Sequence, residues 1–257
     1  MRVFLFVPCF VDQIFPNVAV STLKVLEHVG CEVIFPEKQT CCGQPAYNSG
    51  YFDEARLVAM HEVNAFLDYR GTSSEKSIAR FDSERDYIVG PSGSCTAMMR
   101  NFYPELLKDD PRYEEISRKF SSRAFELTEF ISKIIGVDRF KGKLNITVSY
   151  HDSCHSLREL KVKQEPRNIL TRIEGLKFVE LPYTEVCCGF GGTFSVKFPD
   201  ISVAMAEEKL KNFRVTGAEV LVSADTSCLM HLDGWARRNG TKARFAHIAE
   251  IMAESIS

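Results

Sequence analysis

The sequence predicts an α/β protein of two pseudo-repeated lobes, each a mostly parallel sheet flanked by helices with cysteines at the strand carboxyl ends. Three observations predict it. A lone cysteine, a Cys-Cys-Gly and a final cysteine occur in that order twice: Cys9, Cys41-Cys42-Gly43, Cys95, then Cys154, Cys187-Cys188-Gly189, Cys228. The step from lone cysteine to pair differs by a single residue between the copies. β-Branched and aromatic runs alternate with longer helical stretches, as in strands joined by crossover helices. At 257 residues the chain is long enough for two lobes with ordinary cores, placed at 1–140 and 141–257.

Both repeats follow one plan. The first strand is VFLFV at 3–7 or ITVSY at 146–150, and it runs into the lone cysteine. A helical stretch follows, VAVSTLKVLEHVG or PRNILTRIEG, closing on Gly30 or Gly175 as a C-terminal cap. A second strand, EVIF or KFVEL, leads to Pro36 or Pro182 and then to the double cysteine. An amphipathic helix is expected around 52–69 and 199–214. The third strand, DYIVG at 86–90 or AEVLVSA at 218–224, reaches the final cysteine. LTEFISKII at 127–135 and HIAEIMAESI at 247–256 are the closing helices. In parallel sheets the loops after the strands share one edge, so the connectivity alone gathers the thiols there. Repeat one carries two polar insertions, 71–85 and 108–122, read as surface loops and as a docking surface for partners.

Composition narrows the function classes. Hydrophobic residues make up 45% and charged residues 26%, as in soluble globular proteins. Lys+Arg number 32 against Asp+Glu 34, so no global basic field favours nucleic acid. No apolar run approaches the roughly 20 residues of a membrane span. The opening MRVFLFVPCFVD has an internal counterpart in NITVSYHDSC, which favours a first strand over a signal peptide. A cytoplasmic location is expected, where clustered cysteines mean metal or redox chemistry rather than structural disulfides.

Eight of the nine cysteines fall in the scheme; Cys31 aligns with Leu176 and reads as a buried structural residue. Converging thiolates suit an iron–sulfur cluster, a structural zinc or a thiol/disulfide site. Adjacent cysteines splay apart, which favours a cluster offering several irons over one mononuclear ion. Gly43, Gly189, Gly191 and Gly192 permit close backbone approach and N–H donation to sulfur. CCGFGG lacks the strand-then-helix context of a nucleotide fingerprint. His151, Asp152 and His155 flank Cys154 and are the candidate catalytic residues; Asp152 or Ser153 also suits a helix cap. His231 and Arg158 are weaker candidates, the latter as a carboxylate anchor.

The tandem arrangement resembles the cysteine-rich CCG domain of heterodisulfide reductase and of the iron–sulfur subunits of glycolate and glycerol-3-phosphate oxidoreductases. Over its whole length the chain resembles the lactate utilization protein A family, through PSGSCTAMM at 91–99, HDSCHSLREL at 151–160, CCGFGGTFS at 187–195 and DTSCLMHL at 225–232. The resemblance implies an iron–sulfur subunit, with companion subunits, of a complex oxidising L-lactate to pyruvate. It implies that Cys9, Cys41, Cys42 and Cys95, and Cys154, Cys187, Cys188 and Cys228, bind one cluster per repeat. The fullest form of the domain ends each repeat in Cys-x-x-Cys, whereas here the earlier position is Ser92 or Asp225. Four thiolates per repeat remain, enough for a [4Fe–4S] cluster. A heterodisulfide or glycolate oxidoreductase subunit and a zinc-binding scaffold are the alternatives.

Overall fold

The structure is a computed structural model that describes residues 1–67 and 81–256. Two four-stranded, all-parallel sheets form its frame, in the orders β2-β1-β3-β4 and β6-β5-β7-β8. The first comprises β1 (Arg2–Leu5), β2 (Glu32–Ile34), β3 (Tyr87–Gly90) and β4 (Ala124–Glu126). The second comprises β5 (Lys143–Tyr150), β6 (Glu174–Phe178), β7 (Val220–Ser223) and β8 (Arg244–His247). In lobe one, α1 (Cys9–Ile14) and α2 (Pro16–His28) follow β1, and α3 (Gln44–Asn48) and α4 (Phe52–Leu67) follow β2. Then α5 (Gly93–Ala97), α6 (Tyr103–Leu107) and α7 (Glu114–Ser122) follow β3, and α8 (Leu127–Glu129) follows β4. Lobe two repeats the plan with α9 (Cys154–Arg158), α10 (Gln164–Leu170), α11 (Thr193–Lys197), α12 (Pro199–Thr216), α13 (Thr226–Arg238) and α14 (Ile248–Ser255).

The strand period of two sorts side chains between cores. Val3 and Leu5 face one core, Phe4 and Phe6 the other. The Phe4 side is private to lobe one, where Phe66, Phe81, Tyr103 and Phe120 pack around it. The Val3 side is shared between the lobes: Val25 and Leu26 of α2 lie in one cluster with Ile251 and Met252 of α14. The exchange is reciprocal. α14 of lobe two packs on α2, while α8 and the π-helical segment Phe130–Gly136 of lobe one pack on α10.

Several sequence expectations are corrected. Each sheet has a fourth strand, β4 or β8, whose AFE or RFAH holds no β-branched residue and runs straight into the closing helix. β6 begins at Glu174, and α10 has already ended at Leu170, so Gly175 lies in the strand rather than capping the helix. The closing helix of lobe one is a short α-turn followed by π-helix rather than one α-helix. The insertion at 108–122 is no loop: its second half is α7, which buries Phe120. Residues 71–80 of the other insertion lie outside the described residues, and Phe81 is core, edge-on to Phe4 at 5.4 Å between ring centroids.

The strand register supports the repeat alignment of Cys31. Val3 pairs with Val33 and Val148 with Phe178, which sets Cys31 and Leu176 two residues before equivalent positions. Cys31 lies buried in the shared core, where burial raises its thiol pKa. Cys31→Ala is therefore expected to leave metal content unchanged and to cost on the order of 1 kcal/mol in denaturant unfolding.

Candidate metal centres

In each sheet the strand order reverses between the first and third strands, β1 and β3 or β5 and β7, and the crevice at such a switch point opens at the carboxyl ends. Cys9 opens α1 after β1, and Cys95 lies in α5 after β3. Cys154 opens α9 after β5, and Cys228 lies in α13 after β7. The pairs come from the turn after the second strand. In lobe one Cys9 Sγ lies 3.7 Å from Cys41 Sγ, and Cys42 Sγ lies 3.2 Å from Cys95 Sγ. Lobe two links Cys154 with Cys187 and Cys188 with Cys228 in the same way. All eight cysteines of the repeated pattern converge, four to a lobe.

The first cysteine of each pair is the anionic hub. Cys41 accepts the S–H of Cys9 and lies beside Cys42, and its pKa falls to about 3. Cys187 accepts from Cys154 and Cys188, and its pKa falls to about 2. The neighbouring thiols Cys9, Cys42, Cys154 and Cys188 are pushed up by that anion. Gly43 N–H and Gly189 N–H each donate to the hub sulfur at 3.4 Å. Both glycines need φ near +90° for this, and a Cβ on Gly189 would meet Ser202 O at 2.5 Å. Gly191 and Gly192 form the left-handed turn into α11.

The candidate catalytic residues separate. His151 is fully buried, and its ring lies with the thiols of Cys188 and Cys228 in a group whose ligand atoms are all within 4.8 Å of one another. Neither ring nitrogen has a partner at hydrogen-bonding geometry. Burial, aided by Lys209, lowers its pKa to about 3. Asp152 is locked in an ion pair: Arg167 Nη1 and Nη2 donate to its two oxygens at 3.0 and 2.8 Å, and Thr184 Oγ1, which donates to Tyr150 O at 2.8 Å, lies 3.2 Å from Oδ2. Ser153 rather than Asp152 sits at the N-cap of α9, and its side chain makes no cap bond. His155 is half-buried with Nδ1 3.5 Å from Cys154 Sγ, while Arg158 is exposed. His231 meets Ser202 Oγ at 3.2 Å and the Phe190 ring.

Three features of the sites were not read from the sequence. Ser92 and Asp225, the two departures from Cys-x-x-Cys, meet across the lobe boundary. Ser92 Oγ donates to Asp225 Oδ1 at 2.8 Å, Ser94 Oγ and N–H donate at 3.0 and 3.3 Å, and Ser153 Oγ donates to Oδ2. Glu62 is buried beside Cys41 with its pKa raised to about 8 by desolvation. Lys209 is buried in lobe two with its pKa lowered to about 8 by the same cause. A one-residue slip between the helices that carry Glu62 and Lys209, relative to the cysteine spacing, hides their equivalence in the sequence.

A family model described as a cysteine-rich domain, CCG, matches residues 3–100 and 148–233. Lactate utilization protein A of an Exiguobacterium species is 44% identical over 255 residues, covering 99% of this chain and 98% of that protein. Lactate utilization protein A of Bacillus subtilis is 43% identical over 252 residues, covering 98% and 99%. A solved structure described as a hypothetical protein from Helicobacter pylori shares the fold over 100% of this chain, with a TM-score of 0.64 at 10% identity. This chain spans about half, 49%, of that one. With the cysteine-rich domain in two copies and these relatives along nearly its full length, the chain belongs to the lactate utilization protein A family.

Proposed function

We propose that the chain serves lactate utilization as the iron–sulfur electron-transfer subunit of a complex that oxidises L-lactate to pyruvate. The observation that carries this reading is the paired convergence of four thiols at equivalent strand ends. The donor set fits a cluster: sulfur ligands only in lobe one, backbone N–H donors at the hub sulfurs, and adjacent cysteines reaching different partners. Cys9, Cys41, Cys42 and Cys95 would hold one [4Fe–4S] group, and Cys154, Cys187, Cys188 and Cys228 the other. Bound there, such a group takes up and releases single electrons. Gly43 and Gly189 hold the hub thiolates, and the surrounding apolar residues exclude water from the inner sulfurs of Cys42, Cys95, Cys188 and Cys228. Among the described residues no helix is long and apolar enough to cross a membrane. Anaerobic purification tests the reading: brown protein containing iron and inorganic sulfide is expected, and colourless protein with stoichiometric zinc overturns it. Zinc is the second reading because His151, Cys188 and Cys228 lie close enough to share one ion.

Lactate oxidation releases two electrons and two protons, and a chain that only relays electrons cannot draw them from lactate by itself. The purified chain is expected to show negligible lactate:acceptor turnover, with activity appearing when companion subunits are added. Steady-state assay with L-lactate and an artificial acceptor decides the point. Robust turnover by the chain alone would place catalysis within it and make His151, Asp152 and His155 the first residues to replace.

A further inference from the structure

Equivalent positions in the two lobes carry buried groups of opposite charge type. α4 and α12 both follow a Cys-Cys-Gly turn and bury the same series of positions. In α4 these are Ala55, Ala59, Glu62, Val63 and Phe66, with Ala65 buried in addition; in α12 they are Ser202, Ala206, Lys209, Leu210 and Phe213. The turns confirm the register, since a Cβ on Gly43 would meet Ala55 O and Val58, and one on Gly189 would meet Ser202 O and Met205. Glu62 and Lys209 are therefore structural counterparts.

Both are built in. Glu62 Oε2 accepts from Thr40 N–H at 2.9 Å and Thr40 Oγ1 at 3.3 Å, directly before the Cys41-Cys42 pair. Lys209 Nζ donates to Tyr183 O at 2.7 Å and Thr184 O at 3.1 Å, in the segment leading to Cys187. The thiol sites act on both groups, Cys41 on Glu62, and Cys188 and Cys187 on Lys209. A second asymmetry points the same way. Phe6 N–H donates to Val89 O and His151 N–H to Val222 O, so these two share a backbone position. Lobe one thus has a phenyl ring, in the core cluster that holds Cys42 and Cys95, where lobe two places an imidazole beside Cys188 and Cys228; a neutral imidazole N–H can donate to a sulfur that gains charge, and a phenyl ring cannot.

Adding an electron makes a centre more negative. A buried cation stabilises that state strongly at low dielectric, and a carboxyl in the same place opposes it when ionised and does little when neutral. In either protonation state of Glu62, the sign of the difference is the same. Of the other buried charges near Cys154, Asp152 is paired with Arg167, and Asp225 lies on the lobe boundary with four donors of its own.

We propose that Lys209, with His151, holds the lobe-two centre at a higher midpoint potential than the lobe-one centre, where Glu62 and Phe6 stand in their places. Electrons then pass from lobe one to lobe two. One electron leaves the reduced lobe-one centre and reduces the lobe-two centre, with no bond made or broken. This rests on the cluster reading above.

Redox potentiometry followed by electron paramagnetic resonance on the anaerobic full-length protein tests it. The protein carrying Cys41→Ser and Cys42→Ser, with only the lobe-two centre, is expected to have a more positive midpoint than the one carrying Cys187→Ser and Cys188→Ser. Lys209→Met should shift the lobe-two midpoint to lower potential without moving lobe one, and Lys209→Arg should retain the wild-type separation. Because Lys209→Met removes two buried hydrogen bonds, His151→Phe, which installs the lobe-one residue, is the second variant and should shift the same midpoint downward. Equal midpoints, a reversed order, or an unmoved lobe-two midpoint in the folded variants would overturn the proposal and leave the cluster reading standing. Anaerobic protein without iron and sulfide would overturn both.

Discussion

Serine at both Cys187 and Cys188 is expected to abolish the lobe-two centre and leave the lobe-one centre in place, so that iron and sulfide fall to about half of the wild-type content. The expectation follows from the hub geometry. Cys187 is the sulfur on which Cys154, Cys188 and the Gly189 N–H converge, and Cys188 is almost fully buried against Cys228. A serine hydroxyl is a harder and far less acidic donor than a thiol, so it forfeits the anionic charge that iron requires. The mirror variant at Cys41 and Cys42 should remove the other half. Iron and sulfide analysis with electron paramagnetic resonance reads the result. Loss of all iron in either variant would mean that the lobes share a single cluster, contrary to one centre per lobe.

Arg167→Ala is expected to destabilise the cluster-free protein by about 3–5 kcal/mol in urea unfolding, the loss typical when one partner of a buried ion pair is removed. Arg167 is buried, donates to both oxygens of Asp152, and reaches the exposed Glu180 at 2.9 and 2.6 Å. Its guanidinium also lies 5.7 Å from the centroid of the Tyr150 ring. Without it, the Asp152 carboxylate stays buried with only the Thr184 hydroxyl nearby, whose one proton has the closer Tyr150 O at 2.8 Å. The double variant Arg167→Ala with Asp152→Ala should recover part of the loss, because it deletes the stranded charge. A double variant less stable than Arg167→Ala alone would show that Asp152 is held by contacts other than this pair. The comparison bears on chemistry as well. If Asp152 works through the ion pair, its removal lowers stability and activity together; a proton-relay role would lower activity in a protein of unchanged stability.

The cysteine positions were legible because duplication prints them twice, and because parallel α/β connectivity sends every strand-end loop to one edge. The six strands named from sequence lie in runs that carry β-branched residues. β4 and β8, AFE and RFAH, hold no β-branched residue and pass directly into helices, and α7 was disguised by its charged outer face, Glu114, Glu115, Arg118 and Lys119. Asp152 read as a cap because its partner Arg167 lies on the next helix, and short-range rules do not see that pairing. Ser92 and Asp225 were legible as departures from a thiol pattern. Their mutual hydrogen bond was not, since it joins residues of different lobes. Glu62 and Lys209 read as ordinary charged faces of amphipathic helices, and only their burial sets them apart.

The reciprocal packing of α14 on α2, and of the lobe-one closing segment on α10, gives the molecule the form of an exchanged homodimer written as one polypeptide. In a true homodimer every residue is present in both halves, so two identical centres sit at one potential and provide no direction for an electron. Joining the copies in a single chain lifts that symmetry constraint while keeping the shared hydrophobic core that holds them together. Each half can then mutate alone. Glutamate against lysine and phenylalanine against histidine are substitutions that only the fused form can hold, one on each side of its pseudo-dyad.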